Sequence, residues 1–399
     1  MYATPYGTSV KGFRDGDAPA RPLLRIDPLL LLATLGLVAC SIYTIKTATD
    51  TDIPGRPYYY VIRQSVYAGV GILFMVLVSR FDYSRLREWR IGLYGLMIAT
   101  ILLVLGMGTA ARGSKRWIDF PFFKFQPSEL GKVLLVLALA GFLVDRTRRL
   151  GERETTARIM LLAVIPAMLV IAQPDLGSGF VYITIALALL FVAGVKWTHF
   201  VALGVLGAAA VTLVLVAAPA AGVQVLKPYQ VHRLTAFVHP SDNPRAQGYQ
   251  LKQSITAIGS GEKSGRGAQG ATQTKLDFIP EHHTDFVFSV VGEEFGFMGA
   301  AIVLSLYALL IWRGLRILTM AKNLYGSLVA GGIIAMLMFQ VFVNVGMTVG
   351  IMPITGVPLP LMSYGGSSVI VTLLALGLLQ AVHVQARETA LAKGRQNLL

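Results

Sequence analysis

Long apolar runs alternate along this chain with short polar stretches, and each run approaches the length a helix needs to cross a bilayer. A crossing takes about 20 predominantly apolar residues, and about ten stretches come close to that length. They cover residues 28–46, 60–79, 91–109, 128–144, 157–173, 176–195, 198–219, 286–312, 324–349 and 366–386. The fourth and fifth are the weakest, because only Val133 to Val144 is a long uncharged run in one and Pro166 interrupts the other. The pattern predicts an all-α integral membrane protein of about ten transmembrane helices. It divides into a tail (1–27), seven helices (28–219), a long loop (220–285), three helices (286–386) and a second tail (387–399).

Composition agrees. With 54% hydrophobic and 14% charged residues and a mean hydropathy of +0.62, the chain is too apolar for an ordinary soluble domain. A net charge of +14 raises nucleic acid as a partner, but the distribution of the charge argues against it. Basic residues gather in alternate loops: the N-terminal tail, Arg80 to Arg90, Arg146 to Arg153, Lys196, Arg313 to Lys322, and the C-terminal tail. Positive loops stay inside, so both termini are expected in the cytoplasm and the 220–285 loop outside. No small-residue cleavage site follows the first apolar run, which reads as an uncleaved span. Cys40 is the single cysteine, so no intramolecular disulfide forms. One outer loop breaks the charge rule with Arg112, Lys115, Arg116 and Lys124, and binding of an anionic group is the natural local reason.

The loop over 220–285 far exceeds ordinary helix connections and is expected to be functional. Leu251, Ile255 and Ile258 fall at helical spacing and predict a short amphipathic helix lying along the membrane surface. Five glycines between 259 and 270 lack the strand and helix that frame a phosphate loop. Between Asn323 and Ala386 there is no charged residue, yet Pro353, Pro358, Pro360 and Gly365-Gly366 interrupt the run. Two helices joined by a re-entrant or surface-lying loop fit that pattern.

Titratable groups crowd at one place. Glu281, His282, His283 and Asp285 directly precede an apolar helix carrying Glu293 and Glu294 near its start, and carboxylates beside hydrocarbon call for a functional explanation. On spacing alone Asp285 is equally a general base or a helix cap. If the segment is helical, Glu281 and Asp285 share a face and offer two oxygen donors to Mg²⁺ or Mn²⁺; a solvated glutamate at a turn fits as well. The histidine pair lacks the repeated ligand spacing of a zinc motif.

Five motifs occur in order: Gly113-Ser-Lys-Arg-Trp-Ile118, Gln126-Pro-Ser-Glu129, Gln173-Pro-Asp-Leu-Gly177, Ile279-Pro-Glu-His-His-Thr-Asp-Phe286 and Pro358-Leu-Pro-Leu-Met-Ser-Tyr-Gly-Gly-Ser-Ser368. The set resembles the SEDS family (shape, elongation, division and sporulation) of bacterial peptidoglycan polymerases, over nearly the whole chain past the first tail. The approach from Pro353 to Pro358 looks more like the elongation branch than the division branch. The resemblance implies a multi-pass plasma-membrane glycosyltransferase that polymerises lipid II on the outer face. It also implies a class B penicillin-binding protein (a transpeptidase) as partner, within the elongation machinery. Asp285 matches the family's essential carboxylate, whereas His282 departs from the small or polar residue usual there.

Under that reading the leaving pyrophosphate needs cations, and Lys115, Arg116, Lys132 and Arg233 are candidates, with a divalent cation held by Asp285 and Glu281. Lys132 also sits one turn from Glu129, where an ion pair competes with a substrate role. Trp117 suits a sugar face or the membrane interface; Glu129, Glu281, His283 and Ser363 complete the expected substrate-binding set, and Asp175 reads as a helix cap. A flippase for the lipid-linked precursor, or a scaffold for the crosslinking partner, is the competing reading. Midplane charges would favour transport, whereas Glu129, Lys132, Asp175 and Asp285 fall at outer helix ends.

Overall fold

The computed structural model describes residues 26–50, 52–107, 109–111, 114–120, 123–220, 247–276 and 278–396. Helices α1 (Pro28–Ala48), α2 (Tyr59–Ser79) and α3 (Arg90–Met107) come first. A small sheet follows, of β1 (Thr109–Ala111), β2 (Ser114–Asp119) and β3 (Lys124–Phe125). Then come α4 (Pro127–Asp145), α5 (Arg153–Ala172), α6 (Leu176–Val192) and α7 (Trp197–Thr212), the last continued by a π-helical turn over Leu213–Ala217. Helix α8 (Gln247–Ser260) precedes α9 (Val287–Met320), α10 (Leu324–Thr348) and α11 (Gly366–Gln396). Among the described residues eight helices are long and apolar enough to cross a membrane, and Arg90–Gly106 and Leu176–Val192 are shorter apolar helices. Each expected span coincides with a helix to within a few residues at its start.

Helices α4, α10 and α11 form the centre: the apolar windows of α4 and α11 are 83% buried, against 28% for α2 and none for α7. Central helices are apolar all round because protein covers every side, and peripheral ones because lipid covers the rest. Small residues let the axes approach. A Cβ on Gly71 of α2 would sit 2.4 Å from Leu373 of α11, and one on Gly377 of α11 would sit 2.8 Å from the backbone of Met75. Close backbone approach at glycine is how helices associate where water supplies no drive.

The all-α class holds, and within it the segment read as a plain loop carries a small antiparallel sheet in the order β1-β2-β3, with Thr109 opposite Trp117 and Ile118 opposite Phe125. Helix α8 exists, but its inward face is Leu251, Ser254 and Ala257, while Ile255 is 46% exposed. Ser254 Oγ lies 2.6 Å from Ser289 Oγ of α9 and donates to the Thr348 carbonyl at 2.7 Å. Leu251 and Ile258, found by their apolar spacing, pack inward, Ile258 against Gly292 of α9, and Ile255 departs from the expectation.

Helix α9 is interrupted at Gly296, whose φ of 61° and ψ of −158° no helix contains. The glycine-rich stretch after α8 fills the break. Phe297 and Met298 N–H donate to the carbonyls of Glu262 and Lys263 at 2.9 and 3.2 Å, and Arg266 N–H donates to the Glu293 carbonyl at 2.9 Å. A Cβ on Gly265 would lie 2.2 Å from the Glu294 carbonyl oxygen, so that glycine is required by contact.

At the start of α1, buried Asp27 caps the helix through Leu30 N–H at 2.9 Å and pairs with Arg313 of α9. Its own N–H donates to Gln380 of α11 at 2.8 Å. Burial pushes the carboxyl up, but the Arg313 and Leu30 hydrogen bonds and the charges of Arg313 and His383 outweigh it and hold it below the ordinary value. A lowered carboxyl contributes stability that is present above the ordinary carboxylate range and is lost as pH falls through the lowered value. Melting curves in detergent should therefore show Asp27→Ala destabilised by about 3 kcal/mol at neutral pH. The wild type should lose that advantage on acidification below about pH 4. Parallel acid profiles for the two proteins would refute the pairing.

Candidate functional site

The segment from Ile279 to Phe286 is a run of turns, not a helix. Glu281 adopts a left-handed backbone, φ 64°, and its carbonyl accepts from Thr284 N–H at 3.1 Å and Phe286 N–H at 3.3 Å. The premise that Glu281 and Asp285 share a helical face therefore fails. Thr284 Oγ1 donates to Glu281 Oε2 at 3.0 Å. The N-cap of α9 is Phe286, so Asp285 stands one position outside the cap and the capping role does not explain it.

Three successive carbonyls of this segment are held from outside it. His283 O accepts from Tyr364 N–H at 2.9 Å, Thr284 O from Ser363 Oγ at 2.6 Å, and Asp285 O from Asn344 Nδ2 at 2.9 Å. Asn344 also donates to Val357 O at 2.7 Å. Phe286 anchors the same turn by packing with Leu251, Ile279, Met347 and Ile354. The main chain on both sides of Asp285 is fixed, and the residue itself is half-buried.

The connection from α10 to α11, which supplies Ser363 and Tyr364 while Asn344 comes from α10 itself, is tied down in turn. Ser41 Oγ donates to Met362 O at 2.8 Å, Gln64 Nε2 to Ser363 O at 3.2 Å, and Tyr307 OH to Pro360 O. Leu359 to Ser363 are buried although they form no helix or strand. Ser363 is a correction to the expected substrate-binding set. It is 1% exposed, accepts from Leu359 N–H at 2.8 Å and donates to Thr284 O, so it positions the segment. His283 packs its ring on Tyr60 at 4.7 Å and Tyr364 at 5.7 Å.

The other motifs meet the same connection and the first turn of α11. Ser367 Oγ accepts from Gln126 N–H at 2.9 Å and donates to Lys124 O at 2.8 Å. Gln126 Nε2 donates to Asp175 Oδ2 at 3.1 Å, and Asp175 caps α6 through Ser178 N–H at 3.2 Å, as the sequence predicts. A Cβ on Gly177 would meet Val357 at 2.4 Å.

Several expected binding residues have structural partners. Arg116 donates through Nε to Gln173 O at 3.1 Å and through Nη2 to Pro174 O. Its charge holds the turn before α6, which corrects the expectation of a guanidinium reserved for an anion. Lys132 and Glu129 form a 2.7 Å ion pair at 2% and 3% exposure, the arrangement that competed with substrate binding. Trp117 lies half-buried in β2, Lys115 stands opposite Ala110, and Arg233 lies outside the described residues. Among the described residues, three or more His, Cys, Asp or Glu side chains with donor atoms within 4.8 Å occur once, as Asp52, His282 and His283. The residues that sequence reasoning missed are Ser41, Asp52, Tyr60, Gln64 and Asn344. Gln64 and Asn344 carried a signal, being uncharged polar side chains inside apolar helices.

Comparison with known proteins places this geometry. The family model described as "Cell cycle protein", FtsW/RodA/SpoVE, matches residues 23–388. Stage V sporulation protein E of Bacillus subtilis is 36% identical over 92% of this chain and 97% of its own length. Peptidoglycan glycosyltransferase MrdB of Escherichia coli is 36% identical over 91% and 95%. A chain of a peptidoglycan synthase complex that coordinates polymerization and crosslinking superposes with a TM-score of 0.76, at 34% identity over 90% of this chain and 98% of that one. The rod shape determining protein RodA of Thermus thermophilus gives 0.65, at 31% identity over 90% and 96%.

Removing the amide that holds two carbonyls should be costly wherever it does not change the chemistry. Asn344→Leu is expected to lower thermal stability by about 1 to 3 kcal/mol, the cost of leaving buried acceptors unpaired; a melting curve unchanged from wild type would show that those carbonyls find other donors.

Proposed function

The chain belongs to the FtsW/RodA/SpoVE family, and from this premise we infer that it is a peptidoglycan glycosyltransferase of the bacterial plasma membrane, polymerising lipid II on the outer face with Asp285 as the reacting carboxylate. The observation that supports Asp285 most strongly is the fixing of the carbonyls of 283, 284 and 285 by three separate donors. A general base must be held to within a fraction of an ångström to be effective, and misplacement by about 1 Å can cost 10²-fold.

In this reading Asp285 takes the proton of the acceptor sugar hydroxyl as that oxygen attacks the anomeric carbon of the donor. The bond from that carbon to the pyrophosphate oxygen breaks, its electron pair leaves with the polyprenyl pyrophosphate, and the configuration inverts. Lys115 and Arg233 are the basic candidates for the departing charge, and Trp117 for a sugar face. Arg116 and the Glu129–Lys132 pair support the surrounding turns. Although Asp285 and Glu281 share no helical face, their carboxylates offer hard oxygen donors, and Mg²⁺ or Mn²⁺ held by them would neutralise pyrophosphate charge. Service in elongation, with a class B penicillin-binding protein as crosslinking partner, rests on the likeness to RodA and to the synthase complex.

Labelled lipid II supplied to the purified protein, with a crosslinking partner that has no polymerase activity, tests the reading. Wild type should give glycan ladders. Asp285→Ala, with unchanged melting and partner binding, should lose at least about 10²-fold in rate. Ladders from Asp285→Ala equal to wild type would overturn the base assignment. Precursor translocation without ladders would favour transport. Chelator should suppress the wild-type ladders, with Mg²⁺ or Mn²⁺ restoring them; activity indifferent to chelator would remove the cation from the proposal.

A further inference from the structure

Asp52, in the connection between α1 and α2, meets the two histidines that precede Asp285. Its Oδ2 lies 3.3 Å from His282 Nε2 and 3.9 Å from His283 Nδ1, and donor atoms of all three fall within 4.8 Å of one another. The side chain of His282 is 4% exposed, that of His283 17% and that of Asp52 20%. They form a small set of two enclosed imidazoles and one carboxylate on an exposed residue.

The tautomer of His282 follows from its other nitrogen. Nδ1 lies 3.3 Å from the Ile279 carbonyl oxygen, which can only accept, so Nδ1 carries the hydrogen. In the neutral ring Nε2 then turns a lone pair towards a carboxylate oxygen at 3.3 Å. Two acceptors at that separation call for a positive species between them, either a proton or a metal ion. A histidine that ligates a metal characteristically donates its second N–H to a carbonyl in this way.

Distances decide which metals fit. Zinc bonds of about 2.0 to 2.1 Å to nitrogen and oxygen put the corners of a tetrahedron roughly 3.3 to 3.4 Å apart. The Asp52–His282 spacing already meets that value, the Asp52–His283 spacing needs a contraction of about 0.5 Å, and the two imidazole nitrogens lie within 4.8 Å of each other. Three protein ligands with an open fourth position are a common arrangement for zinc. Two imidazoles also favour a borderline metal over Mg²⁺, which takes oxygen in a strict octahedron.

We propose that Asp52, His282 and His283 form a binding site for a borderline divalent transition metal, zinc first among them, which fastens the α1–α2 connection to the segment bearing Asp285. Two further contacts bring the same stretch of chain there: Lys275 pairs with Asp50, and Thr47 Oγ1 donates to Glu294 Oε2 of α9. The rings of Tyr60 and Tyr364 set the plane of His283. This site is separate in chemistry from the all-oxygen pair Asp285 and Glu281. Occupancy would tie the α1–α2 connection to the already fixed segment bearing Asp285, so zinc would act on the position of the connection without taking part in the transfer.

The test uses full-length protein without a histidine tag, in detergent and stripped of metal by chelator. Titration with Zn²⁺ against a chromophoric chelator should show one site of about micromolar affinity or tighter. The double variant Asp52→Asn, His282→Gln should bind about 100-fold more weakly. Cobalt-loaded wild type should show the intense visible bands of a four-coordinate ion, retained in Asp285→Ala and under excess Mg²⁺, and absent from the double variant. Should the double variant not fold, the two single variants carry the comparison. Equal zinc binding by wild type and variants, or displacement by equimolar Mg²⁺, would overturn the proposal and leave a proton between Asp52 and His282. The readout is metal binding, so its failure is distinct from failure of the polymerase reading.

Discussion

Backbone that is neither helix nor sheet can sit inside a membrane bundle only where each of its polar groups finds a partner. The α10–α11 connection meets that demand with side chains drawn from α1, α2 and α9. Ser41, Gln64 and Tyr307 satisfy its carbonyls, and the connection in turn supplies donors to the segment around Asp285. An irregular, buried stretch thereby connects α1, α2 and α9 to the segment around Asp285. It also joins motifs far apart in sequence, since Ser363 reaches Thr284, Val357 and Thr355 crowd Gly177, and Ser367 reaches Gln126.

The same constraint governs the break in α9. A helix cut at Gly296 exposes amides on one side and carbonyls on the other, and the glycine-rich stretch after α8 answers both. Glu293, fully buried at the break, directs its carboxylate to Gln273 and Thr274 N–H at 2.8 and 3.0 Å, capping a short helical turn. Gly261 and Gly265 lie where a side chain would collide with the α9 backbone. Rigidity near Asp285 thus comes from two irregular stretches, each supported by the regular helices around it.

The helices were legible because lipid enforces a long uniform apolar run, and no other soluble or surface element imitates that length. The segment carrying Asp285 was legible because carboxylates and histidines beside hydrocarbon stand out. Arg116 and Lys132 show where such reading stops: charge in a row of residues does not reveal whether its partner is a substrate, a carbonyl or a neighbouring glutamate. Helix α8 packs inward through Leu251 and Ile258, two of the three residues that predict it, whereas Ile255 is exposed and the buried Ser254 gave no apolar signal. Asp52 gave no signal, since its relation to His282 exists only through the fold. Family membership covers nearly the full chain, whereas the roles of individual binding residues depend on contacts that no single row of residues displays.

The contact of Asp27 with Arg313 and Gln380 joins residues 286 and 353 positions apart. A ribosome adding about 5 to 20 residues per second needs roughly 20 to 70 s to cover the longer interval. During that time the first helix is already in the membrane while both of its partners are still unmade. Biogenesis must therefore hold α1, and α2 that later packs on α11, in a provisional state, and the bundle closes only when its last helix arrives. The earliest segment to be synthesised is among the last to find its place.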